Sequence, residues 1–183
     1  MYATVKTILS ANGIENFDER HRVNRPSDRE LKAAYEFAAV WWGCVLHGIP
    51  VFEVCRTYPS RIPDLRGYHE RYGLLLTPAG QQAFFIGLRD AFQRGMSVDQ
   101  SVKRARQLEW RRSDAIWIDV LVFSGGRMIS KESNVKLAGR LASYRLSGHL
   151  WEEQEIAALR ESLREEKQDW GFRLPRAPRN QPG

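Results

Sequence analysis

The stretch PSDRELKAAYEFAAVWWGCVLHGIP, Pro26 to Pro50, decides the fold class of this chain. Ser27 followed by Glu30 has the spacing of a capping box, in which side chain and backbone satisfy each other reciprocally at a helix start. Leu31, Tyr35, Ala38, Trp42 and Val45 then recur at intervals of four and three, the period of one helix face. From Phe37 to Leu46 the helix is apolar nearly all round. Such a helix is buried on several sides, so it is expected at the centre of the core with Trp42 inside. Gly48 and Pro50 end it.

Downstream, Pro59, Pro63 and the segment 64–72 read as a turn and a short helix. Thr77-Pro78 opens another helix, Thr as N-cap and Pro at the first helical position, with Phe84, Leu88 and Ala91 as its inner stripe. Ser97 and Gln100 repeat the capping-box spacing, and Val98, Val102, Ala105 and Leu108 face inward. The stretch from Trp117 to Ser130 fits either a small β-hairpin turning at Ser124-Gly125-Gly126-Arg127 or a short helix stopped by the glycines. Ser133 or Asn134 reads as the next N-cap. Val135, Ala138, Leu141 and Ala142 then form an inner face, with Lys136, Arg140 and Ser143 on another. A last helix spans about 151–167, its first turn carrying Glu152, Glu153 and Glu155 at the positive end of the helix dipole. The expectation is a mainly α fold: a single compact domain over residues 1–170, of roughly five to six helices, with room for one short hairpin. No βαβ alternation supports a parallel sheet. The tail 171–183, with Pro175, Pro178, Pro182 and three arginines, is expected to be disordered.

Composition narrows the function classes. Hydrophobic residues make up 43% of the 183, which excludes wholesale disorder. Two cysteines cannot build a disulfide framework, and they suit a reduced, cytoplasmic setting. The longest apolar run is about half of what a membrane span needs, and the N-terminus lacks a signal-peptide pattern, so membrane and secreted classes are disfavoured. The net charge of +6 is uneven: residues 101–147 hold 10 basic and 4 acidic side chains, residues 148–170 hold 3 and 7. Either the central segment binds a polyanion or it pairs with the acidic helix after it.

The spacing Cys44-x-x-His47, with Cys55 and His69 further on, is a weak zinc pattern, because Cys44 sits in the most apolar helix stretch. No nucleophile elbow and no phosphate loop occur; His21 falls in a polar loop, His69-Glu70 on an exposed surface, and His149 between helices. Glu30-Leu31-Lys32 and Glu165-Glu166-Lys167 lack the strand context of a metal-dependent nuclease. No catalytic residue, metal site or cofactor is expected. DNA binding has more substance: Lys103, Arg104, Arg106, Arg111, Arg112, Arg127, Lys131, Lys136 and Arg140, followed by Arg145, are interleaved with Trp110 and Trp117. Phosphate contacts require such cations. The helix starts at Ser97 and Asn134 would add backbone donors.

An ordered set of landmarks also resembles a known family. Glu36-Phe37, Trp41-Trp42, Gly48-Ile49-Pro50 and Leu65-Arg66 come first, then Tyr72-Gly73-Leu74-Leu75-Leu76 and Ala79-Gly80. Leu108-Glu109-Trp110-Arg111-Arg112-Ser113-Asp114, Trp117, Gly125-Gly126-Arg127-Met128 and Asn134-Val135-Lys136-Leu137 complete it. Over roughly residues 1–150 the chain resembles the C-terminal half of the DndB-like, DGQHR-domain proteins of bacterial DNA sulfur modification. No Asp-Gly-Gln-His-Arg segment occurs, and activity seated in that N-terminal part of the family does not carry over. The resemblance implies a protein tied to DNA phosphorothioation that acts on duplex DNA without catalysing sulfur transfer, as a transcriptional regulator of the modification genes. The alternative is a structural module holding other subunits of a DNA-modification or defence complex.

Overall fold

The computed structural model describes residues 2–11 and 25–176, and these form eight α-helices. They are α1 (Tyr2–Ser10), α2 (Asp28–Gly48), α3 (Pro50–Thr57), α4 (Ile62–Leu65), α5 (Pro78–Gln93), α6 (Val98–Gln107), α7 (Glu132–Ser147) and α8 (Glu153–Lys167). The chain is mainly α, as its periodicity predicts. The helix count exceeds the expected five to six because α1, α3 and α4 are separate short pieces. The helix expected over 64–72 is instead α4 followed by turns. The hairpin reading is corrected: among the described residues no strand forms, and Val122 and Met128 make a single antiparallel bridge. The turn between them does close, Phe123 N–H donating to Arg127 O at 2.8 Å, with Gly126 at φ +82°. That left-handed conformation suits glycine.

Local chemistry sets most helix starts. Ser27–Glu30 and Ser97–Gln100 are both complete capping boxes, and the Thr77 hydroxyl accepts from Gly80 N–H ahead of Pro78. Helix α7 departs from expectation. Its N-cap is Lys131, and Asn134 lies inside the first turn, buried, donating to Val120 O at 3.1 Å and to Glu166 at 2.8 Å. Ser143, expected on a face other than the inner one, is fully buried.

The core is centred on α5 and α7 rather than on α2. Small residues let these two helices cross closely: a Cβ on Gly87 would stand 2.7 Å from the Ala142 Cβ, and one on Gly139 would stand 2.6 Å from the Ile86 Cβ. Phe84, Phe85, Leu88, Ala138, Leu141 and Ala142 are all buried around this crossing. Helix α2 packs against α1 and α6 and meets α5 through Phe37, Trp41 and Trp42, and its expected register is corrected. Ala34, Trp41 and Val45 are buried, Trp42 is half-buried against Phe85, and Tyr35 is 74% exposed. No single helix among the described residues is long and apolar enough to cross a membrane; α2 and α3 pass that test only together, and they are bent by 91°.

The polypeptide after α8 also differs from expectation over its first residues. Phe172 and Leu174 pack against the core, the Lys167 ammonium lies 5.2 Å from the Phe172 ring centroid, and Arg164 donates to Phe172 O at 3.3 Å. Residues 177–183 of the expected tail lie outside the described residues, as does His21.

Candidate nucleic-acid interface

Helix α6 carries the first cations. Its inner face buries Val98, Ser101, Val102 and Ala105, which turns Lys103 and Arg106 outward. The end of the helix is held by the segment before α5: Arg71 donates to Arg106 O at 3.2 Å and Tyr72 Oη donates to the same oxygen at 3.0 Å. A cation at this end also complements the helix dipole. The result is a concavity lined by Pro50, Arg71, Tyr72, Lys103, Arg106 and Gln107. Lys103 pairs with Asp99 at 2.8 Å, and Arg71 reaches Glu109 at 3.4 Å. The Arg106 guanidinium has no carboxylate partner among the described residues.

The remaining cations are dispersed. Arg104 donates to Leu146 O at 2.6 Å and to the His149 Nδ1 at 3.1 Å, so it ties α6 to the end of α7. Burial, with the Arg104 charge, pushes the His149 pKa below the usual imidazole value, in keeping with a neutral ring that accepts. Arg112 donates to Arg66 O and Gly126 O and lies over Tyr68, which pins the 123–127 turn. Arg111 pairs with Glu109 at 3.0 Å, and Arg127 covers Phe123 at 4.9 Å. Lys136 pairs with Glu132 and shares a groove with Lys6, Arg89, Asp90 and Arg140 between α1, α5 and α7. Lys131 stands at the start of α7, and burial lowers the Arg145 pKa. The basic segment is therefore spread over several faces, and the ion pairs of Lys103, Arg111 and Lys136 are local.

Trp110 and Trp117 are corrected as well. Both are buried, at 0% and 1% exposure, and stack on each other in the core, so neither offers a face to a base. No protein-family model, curated protein or solved structure matches this chain. Among the described residues no three His, Cys, Asp or Glu side chains are grouped to hold a metal ion, and the His47 Nδ1 lies 2.7 Å from Gly43 O.

The acidic helix takes a cation from outside the basic segment 101–147. Arg94, at the end of α5, grips Glu155 through two bonds of 2.8 and 2.7 Å and lies 4.2 Å above the Trp151 ring. The Arg94 bond, with the Glu152 backbone N–H, holds the Glu155 carboxyl down to about 2. A carboxyl lowered on folding contributes stability above its unfolded pKa, lost as pH falls through the folded value. Melting temperature should therefore fall less steeply between pH 4.5 and about 2 in Glu155→Gln than in the parent. The difference should be small, because the pair is partly exposed. Parallel melting curves across that window would remove this assignment.

Proposed function

We propose that this chain is a non-catalytic, DNA-associated helical domain that docks on the phosphate backbone of duplex DNA. The observation that carries this reading is the concavity at the end of α6. There Arg71, Lys103 and Arg106 converge from segments far apart in sequence, and Arg106 has no carboxylate partner among the described residues. Three cations around one hollow fit a phosphate chain better than a neutral ligand. The link to DNA phosphorothioation, and to regulation of the modification genes, rests on the ordered landmarks from Glu36 to Leu137.

Anisotropy titration of a labelled duplex at several salt concentrations tests the reading. Affinity should fall with salt at a log–log slope of about −0.9 per phosphate neutralised. Lys103→Ala with Arg106→Ala should flatten that slope by about two units if each side chain holds one phosphate, with little change in melting temperature. Arg104 and Arg112 are poor probes, because both hold backbone carbonyls across the fold. An absence of binding at low salt would remove the proposal. Incubation with Mg²⁺ in the same series addresses a metal-dependent nuclease, for which cut product is the signature.

One observation favours the second reading, a module that holds other subunits of a modification or defence complex. Helix α2 leaves Leu31, Tyr35 and Val40 exposed at 37%, 74% and 62%, and Leu31 and Tyr35, four residues apart, share one face that a partner could cover.

A further inference from the structure

A second hollow, of about 480 Å³, lies between the loop after Trp117, the start of α7 and the end of α8. Its lining includes Asp119, Phe123, Lys131, Asn134, Glu166 and Lys167. That volume is in the range of small-ligand sites, roughly 300–1,000 Å³.

Most polar groups around it are already committed. Both Asn134 amide hydrogens are used, on Val120 O and Glu166 Oε1, and Lys167 donates to Ala115 O and Ile118 O. Four groups are left over. The Asp119 carboxylate faces the Lys167 charge but has no hydrogen-bond donor among the described residues, and neither does the second oxygen of Glu166. Phe123 is 42% exposed, with Arg127 over its ring. Lys131 stands exposed at the rim. Asp119 also has φ +62°, held by its N–H donating to Val122 O at 2.7 Å. Backbone in this region is sparsely populated and concentrates at ligand sites.

The leftover groups define a complementary ligand. A carboxylate only accepts hydrogen bonds, so Asp119 and the second Glu166 oxygen offer acceptors to a ligand. An exposed aromatic ring favours a flat π-system, and the rim cation favours an anion. Among the nucleobases, adenine and cytosine present a donor beside an acceptor on their pairing edge, and uracil or thymine presents one donor between two acceptors. Guanine alone presents two adjacent donors, N1–H and the N2 amino group, which match the two oxygens of one carboxylate.

We propose that this hollow binds a guanine nucleotide, with Asp119 reading N1–H and N2–H, Phe123 stacking on the base and Lys131 meeting the phosphate. The base can come from a free nucleotide or from an unpaired guanine in a DNA strand; the second source rests on the DNA reading above. Calorimetric titration of the full chain with GMP, IMP, AMP and CMP tests the chemistry. An all-thymidine oligonucleotide with and without one central guanine tests the source. GMP should bind at least about tenfold tighter than AMP or CMP, and IMP, which lacks the N2 amino group, should fall between. Asp119→Asn should lose at least about tenfold for GMP while keeping its melting temperature, because Asn also tolerates the left-handed backbone. Guanine preference with either GMP or the oligonucleotide supports the site and identifies its source. No guanine preference in either arm, or an Asp119→Asn variant that binds GMP like the parent, overturns it. Duplex binding without guanine preference removes this proposal alone; guanine preference without duplex binding removes the backbone-docking reading alone.

Discussion

Trp110→Ala should cost about 3–5 kcal/mol in chemical denaturation, the range for deleting a fully buried aromatic side chain. Trp110 has no exposed surface, stacks on Trp117 with ring centroids 5.0 Å apart and meets Phe84 edge-on at 5.5 Å. Its indole N–H donates to Ala105 O at 3.0 Å, at the end of α6. Its backbone accepts from Leu74 N–H and donates to Arg71 O, both at 2.9 Å. One residue therefore joins the core, α6 and the segment that carries Arg71. Truncation leaves a cavity and a loosened concavity, while Ala105 O keeps the Leu108 N–H, so stability should fall and the duplex affinity proposed above should fall with it. Trp42→Ala should cost clearly less, because that ring is half-buried against Phe85. Equal losses in the two variants would mean that the core does not centre where Phe84 and Trp110 meet.

The contrast between these tryptophans shows how far the sequence could be read. Three helix starts were legible because they depend on residues within one turn: Ser27, Thr77 and Ser97 cap as their spacing predicts, whereas the start of α7, expected at Ser133 or Asn134, falls after Lys131. Stripes bounded by charges were legible too, as on α6, where Val98, Val102 and Ala105 are buried opposite Lys103 and Arg106. The register of α2 was not. With Phe37 to Leu46 almost continuously apolar, several faces satisfy the same period; Trp41 and Trp42 both meet α5, at Phe92 and Phe85, and only the tertiary packing buries the first fully and the second in part. Cation placement was equally hidden, since Arg104, Arg106 and Arg112 are near neighbours in sequence yet one clamps α7, one stays outward and one pins a turn. Asn134 and Asp119 gave no signal as parts of a hollow. Their meaning arises when the end of α8 folds back beside them.

Gly139→Val should destabilise the chain by about 1–3 kcal/mol or more, the range for overpacking a filled interior. Glycine inside a helix ordinarily invites the opposite outcome, since replacement by alanine gains up to about 1 kcal/mol in helix formation. At Gly139 that gain is overridden: the new Cβ would stand 2.6 Å from the Ile86 Cβ and 3.4 Å from Ala83 O, atoms fixed by the backbone of α5. The crossing can admit a side chain only by moving α5 and α7 apart, which opens the packing of Phe84, Leu88, Leu141 and Ala142 together. Ile86→Ala in the same chain should recover part of the loss, by removing the branches but not the Cβ. Gly43 is the matched control. Nothing lies within 4 Å of a Cβ built there, so Gly43→Ala should raise the denaturation midpoint. Opposite signs at the two glycines, with partial rescue at the first, identify the α5–α7 crossing as the fixed centre of the fold; a stabilising Gly139 variant would show that these helices sit further apart.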